Sequence, residues 1–147
     1  MRDILTITLN PAVDIATATD RVSAGPTLRC DAPRTDPGGG GVNVSRVVQI
    51  LGGRSRALVA LAGPRGKTLH NLLHDQGIAV LPFPAPGETR LSLAVTDKTT
   101  RDQFRFVLPG PEWGKKRLNQ LLRLAVRTAP QNGFVVLSGS QPPGATD

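Results

Sequence analysis

Aromatic side chains are scarce in this sequence. They make up 3% of it and tyrosine is absent, so Leu, Val, Ile and Ala must build most of the core. A single cysteine, Cys30, excludes a disulfide framework and a cysteine-based metal site. No apolar run approaches the roughly 18 residues of a membrane helix. The opening MRDILTITLN has too short an apolar stretch for a signal peptide, and no small-residue cleavage site follows it. These absences fit a cytoplasmic protein with no membrane partner. Acidic residues are outnumbered, 11 against 18 lysines and arginines, for a net charge of +7. The basic residues are scattered, with the densest groups at Lys115-Lys116-Arg117 and Arg54/Arg56, and no basic helical stripe alternates with aromatics. That pattern argues for a solvated basic surface with some arginines for a small anion, and against a nucleic-acid partner.

Within 147 residues, enough for one domain, two kinds of strand pattern alternate. Ile4–Leu9, Ala57–Ala62, Ile78–Phe83 and Phe134–Leu137 are short continuous apolar runs, which suit strands buried on both faces. Helical periodicity falls between them: Val44, Val47, Val48 and Leu51; Leu69, Leu72 and Leu73; Leu118, Leu121, Leu122 and Val126. This order predicts a parallel sheet flanked by helices. Asp14–Val22, Leu28–Ala32 and the pair Leu91–Val95 and Phe104–Leu108 instead alternate apolar with polar residues, predicting a separate small antiparallel sheet from about 14–35 and 90–108. The sequence ends three residues after Gln141-Pro142-Pro143-Gly144, just past a strand where a parallel sheet would continue into a helix, and this reads as truncation.

Four consecutive glycines, Gly38–Gly41, precede the first helix. A turn needs one or two, so the run predicts close approach of backbone N–H groups to a ligand at a positive helix end, with Asn43 in the first turn. It is not a dinucleotide fingerprint, since Asn43 stands where the third glycine would. Gly63-Pro64-Arg65-Gly66-Lys67-Thr68 has two residues between its glycines rather than the four of a phosphate loop, and reads as a strand-to-helix turn. His70 and His74 are four residues apart but lack the glutamate of a zinc-protease motif, and read as a polar helix face. Asp14 lies beyond the carboxyl end of the first strand, where α/β sheets collect ligands; an Asx-turn is an equally good reading of it. Arg29 and Arg90, taken alone, are solvated residues on half-wet strands.

Taken in order, Thr8-Leu9-Asn10-Pro11-Ala12-Val13-Asp14, Leu28-Arg29-Cys30, Pro37–Arg46 (PGGGGVNVSR), Thr89-Arg90, Phe104–Gly110 (FRFVLPG) and Leu137–Gly144 (LSGSQPPG) resemble the phosphofructokinase branch of the PfkB, ribokinase-like carbohydrate kinases along the whole chain. Fructose-1-phosphate and tagatose-6-phosphate kinases share much of the pattern. The resemblance implies a ribokinase-like parallel sheet with a small β lid, the N-terminal part of a single kinase domain. It implies ATP and Mg2+ as cofactors, held mainly by a C-terminal half that is absent here. The reaction implied is phosphoryl transfer to a hexose phosphate, fructose 6-phosphate to fructose 1,6-bisphosphate in glycolysis. Asp14 would bind sugar hydroxyls, Gly38, Gly39 and Asn43 would line the pocket, Arg90 helped by Arg29 would hold the phosphate, and Ser140 would contact the sugar or its phosphate. The lid would pair with a second copy in a homodimer. Thr27 departs from the family's lysine at that position. The family's G-A-G-D and N-x-x-E motifs, which carry the catalytic base and the magnesium site, do not occur, so no catalytic residue is expected within these residues and the chain alone is expected to be inactive. A non-catalytic sugar-phosphate-binding module is the second reading.

Overall fold

The computed structural model describes residues 3–145. Four apolar runs become the strands of one parallel sheet: β1 (Ile4–Thr8), β4 (Ser55–Leu61), β5 (Ala79–Pro84) and β8 (Phe134–Leu137), ordered β5-β4-β1-β8. The central strands are buried on both faces, which is why their sequences do not alternate in polarity. Pro82 and Pro84 fall on β5, at the sheet's edge, where a missing ladder N–H is tolerated.

Helices α1 (Gly40–Ile50) and α2 (Gly63–Asp75) cross between successive strands. With them, Val42, Ala57, Val59, Leu69, Leu73 and Ile78 form one core layer. On the opposite face, α3 (Lys115–Thr128) contributes Leu121 and Ala125 to a second layer with Leu5, Ile7, Leu9, Leu58, Ala60, Phe83 and Trp113. Trp113 and Phe83 stack at 5.9 Å, and the Arg117 guanidinium lies 4.9 Å over the Phe83 ring. The two aromatics of the core thus meet at one junction, and aliphatic side chains fill the rest of it.

The helix stripes expected from periodicity are partly rotated out. Val47 and Leu51 of the first stripe are 52% and 74% exposed, and Val126 of the third is 77% exposed. The buried face of α1 is Gly41, Val42 and Ser45. A Cβ on Gly41 would meet the Thr8 hydroxyl and the Ile7 carbonyl, and Ser45 Oγ bonds Thr6 Oγ1 at 2.7 Å. Small residues let the helix backbone sit directly on β1, and that contact, rather than the valine stripe, sets its rotation.

The small sheet contains β2 (Ala12–Thr19), β3 (Arg34–Gly38), β6 (Arg90–Asp97) and β7 (Gln103–Val107), ordered β3-β2-β6-β7. Two expectations are corrected here. First, the sheet is mixed: β2/β3 and β6/β7 are antiparallel, but the central pair β2/β6 is parallel. β2 and β6 both leave the carboxyl end of the main sheet, after β1 and β5, so they must run the same way. Second, Leu28–Ala32 is not a strand. The partner of β2 is β3, which contains Pro37 and Gly38 at a sheet edge. Residues 28–32 lie alongside β2 without a ladder, held where Thr17 Oγ1 donates to the Asp31 carbonyl (2.8 Å) and Thr19 Oγ1 to that of Arg29 (2.9 Å). Helix α2 packs against β4 and β5 and also against β2 and β3, which fixes the small sheet to the main one.

Candidate functional site

The ladder places Asp14 on β2 opposite Asp36 of β3 and Ser92 of β6. The last residue of β3, Gly38, backs onto Asp14: a Cβ there would collide with the Asp14 carboxylate. Gly39 follows as the N-cap of α1 with φ 130°, a conformation that only glycine adopts readily, and turns the chain so that Asn43 stands over the same space. The open cavity between them has a volume of about 370 Å3 and is lined by Asp14, Asp36, Asn43, Ser92, Arg46 and Arg105, with Arg34 at its margin. Arg34 is paired to Asp36 at 2.7 Å.

Burial pushes the Asp14 carboxyl above its ordinary range; Arg90, the Ser92 hydrogen bond and Arg105 pull it down, and Asp36 adds to the rise. With two carboxylates and three arginines around it, the cavity offers hydroxyl acceptors in a net cationic setting. That chemistry suits a polyol bearing an anion.

At the neighbouring end, Arg90 opens β6 opposite Ala12, and its Nε donates to the Asn10 carbonyl at 3.1 Å. Asn10 Nδ2 donates to Ser140 Oγ at 3.2 Å. Arg90 and Ser140, far apart in sequence, therefore meet through Asn10. The Gly40–Gly41 step packs against the Ser138–Gly139 backbone, and the Gly41 N–H donates to the Ser138 carbonyl at 3.1 Å. At least one amide of the glycine run thus binds protein, and the run owes part of its composition to close backbone packing.

Of the residues singled out from the sequence, Asp14, Gly38, Gly39 and Asn43 gather at the cavity, and Arg90 and Ser140 gather beside it. Arg29 does not join them within this chain. It is exposed, beside Thr19, five residues along β2 from Asp14, or about 17 Å at strand rise. Thr27 lies in the same exposed segment. Sequence reasoning missed Asp36, Ser92, Arg34, Arg46 and Arg105. Strand alternation puts Arg90 and Ser92 on one face of β6, but only register brings that face to Asp14.

His70 and His74 lie on α2 away from its buried face of Gly66, Leu69 and Leu73, and His74 Nδ1 is 3.7 Å from Asp75. The Gly63–Thr68 segment is the first turn of α2, and its Arg65 N–H donates to Glu88 Oε1 at 2.7 Å, so an internal carboxylate occupies that helix end.

The family model for pfkB carbohydrate kinases matches residues 4–146. Over 141 residues the chain is 46% identical to the ATP-dependent 6-phosphofructokinase isozyme 2 of Mycobacterium tuberculosis, covering 96% of this chain and 42% of that protein. It is 38% identical to the Escherichia coli isozyme 2, covering 96% and 45%. The crystal structure of Escherichia coli phosphofructokinase-2 in complex with fructose-6-phosphate matches it with a TM-score of 0.92 at 37% identity, over 99% of this chain and 48% of that one. The chain thus spans less than half the length of these relatives. Family match, identity and shape agree along nearly every residue, and the chain belongs to the pfkB family of carbohydrate kinases.

Proposed function

We propose that this chain is the sugar-phosphate-binding half of an ATP-dependent hexose-phosphate kinase, with fructose 6-phosphate as its ligand. The observation that carries the reading is the pairing of two adjacent sites of different chemistry. Asp14, Asn43 and Ser92 present hydroxyl-binding groups around an open cavity, and Arg90 and Ser140 converge beside it with a cation and a hydroxyl suited to a phosphate. A charged guanidinium beside a donor is the arrangement that holds a phosphate, and the half-buried Asp14 carboxylate can accept bonds from two hydroxyls at once. Gly38 contributes by keeping a side chain off the Asp14 carboxylate, and Gly39 by turning the chain toward Asn43.

ATP and Mg2+ belong with the whole kinase. Among the described residues no cluster of three or more His, Cys, Asp or Glu side chains is present, and the reading takes the metal to be held mainly by the rest of the kinase. No catalytic step is assigned to this chain. Its share of the reaction is to bind the sugar and orient its acceptor hydroxyl.

The small sheet supports pairing with a second copy. Along β7 and just beyond it, Phe106, Val107 and Leu108 are 53%, 60% and 48% exposed, more apolar surface than a solvated edge needs. An Escherichia coli phosphofructokinase-2 structure of similar shape is described as a tetrameric inhibited form.

The deciding experiment is calorimetric titration of the 147-residue chain with fructose 6-phosphate, fructose and inorganic phosphate. Binding of fructose 6-phosphate well above either part alone is expected. Equal affinity for fructose 6-phosphate and inorganic phosphate would remove the sugar site from the reading.

A further inference from the structure

Asn10 follows β1 and precedes the Pro11 break, and it is only 8% exposed. Its Nδ2 donates twice, to Ser140 Oγ at 3.2 Å and to the Gln141 carbonyl at 3.3 Å, while its own carbonyl accepts from Arg90 Nε at 3.1 Å. One side chain and one carbonyl of the same residue therefore reach both arms of the phosphate-binding end. Its Oδ1 is buried without a partner and lies against Gly110, where a Cβ would collide with it. A buried amide with an orphaned acceptor is costly to keep, and a merely apolar filler would avoid that cost. The residue's value lies in its donors.

We propose that Asn10 is a positioning residue that fixes Arg90 and the Ser140–Gln141 turn relative to each other, so that the guanidinium and the hydroxyl face one phosphate. The proposal rests on the sugar-phosphate reading above. Asn10 does not touch the ligand; it sets the distance between the two groups that do. Gly110 takes part by leaving room for the amide.

Three variants test it. Asn10→Ala removes the donor, Asn10→Asp keeps the shape but cannot donate to the Gln141 carbonyl, and Gly110→Ala crowds Oδ1 while leaving Asn10 in place. Without ligand, hydrogen exchange is followed at the amides of Gly41 and Trp113, which donate to the carbonyls of Ser138 and Pro143 at 3.1 and 2.7 Å and so report on the turn from outside it. Amides of α2 serve as the control for folding. With ligand, fructose 6-phosphate is titrated into each variant, with and without Ser140→Ala. All three variants are expected to speed exchange at the two reporters by about tenfold with α2 unchanged. Each is also expected to weaken fructose 6-phosphate binding by about tenfold, and by much less once Ser140 is already Ala.

Unchanged exchange at the reporters overturns the proposal. So does faster exchange with unaltered affinity, or an equal loss of affinity with and without Ser140. If the parent chain fails to take up fructose 6-phosphate, the substrate reading falls, and inorganic phosphate takes its place in the same titrations under the same criteria. A parent that binds neither overturns the positioning role as well.

Discussion

Burial disfavours the charged form of the Asp14 carboxyl, and this sets its stability and binding in opposition. Its folded pKa is raised, chiefly by burial, above the about 3.9 of an unfolded aspartate. A raised acid pKa means that the folded state binds its proton more tightly, so stability falls as pH rises through the interval between the two values and stays lower above it. Asp14→Asn is therefore expected to raise Tm at neutral pH, a gap that closes below about pH 4, while fructose 6-phosphate binding is lost because an amide offers only one acceptor. Calorimetric melting across pH, with titration of the sugar phosphate, checks both halves; an Asn variant that melts lower at neutral pH would show that the carboxylate is structurally required. At the other end of the site, Arg90→Ala should weaken fructose 6-phosphate binding by about ten- to a hundredfold, the value of a charge-assisted bond of about 1.5–3 kcal/mol. Fructose, lacking the phosphate, should be insensitive to it. Equal losses for both sugars would place Arg90 outside the phosphate end.

The segment 21–33, in which the sequence misplaced a strand at Leu28–Ala32, is held by the tip of the small sheet. Asp97, at the end of β6, accepts from the Val22, Thr99 and Thr100 amides at 2.8, 2.8 and 2.9 Å. Lys98 bridges Asp31 at 2.9 Å and Asp20 at 3.3 Å, and these bonds raise its pKa. The Val22, Thr100 and Thr99 amide bonds hold the Asp97 carboxyl below the ordinary range. Its stabilising contribution is therefore present above the unfolded aspartate value and is lost as pH falls through the lowered one. Asp97→Asn replaces one accepting oxygen with an N–H donor aimed at another N–H. The segment 21–33 should then exchange its amides faster, with β1 and β4 unaffected, as hydrogen exchange resolved by residue would show. Acceleration spread evenly over the main sheet would mean that Asp97 supports the fold globally. The element also illustrates a limit of pattern reading: the alternation in 28–32 was legible, but the true strand 34–38 carries a proline and a glycine, which only its edge position makes acceptable.

At the scale of the whole molecule, apolar side chains are exposed on two separate surfaces. One comprises Phe106, Val107 and Leu108 beside β7, and the other Val135 and Leu137 on edge strand β8; Ile50 and Leu51 of the α1 end and Val126 of α3 are exposed besides. Such surfaces drive association, and sedimentation velocity of the chain is expected to show concentration-dependent oligomers that persist at high salt. A monodisperse monomer at micromolar concentration would show that these surfaces are tolerated in water. Sequence alone determined the family and the class of fold, because buried parallel strands write themselves as unbroken apolar runs and the motifs around Asp14, Gly38–Asn43, Arg90 and Ser140 are local strings. It also placed β8 and the hairpin of β6 and β7. Tertiary structure alone decided that β1 lies between β4 and β8, that β2 and β6 run parallel, that α1 turns its glycine and serine face inward, and that Asn10 stands between Arg90 and Ser140. Strand order, register and helix rotation depend on contacts between residues distant along the chain, and no local pattern of polarity encodes which of several compatible partners lies nearest.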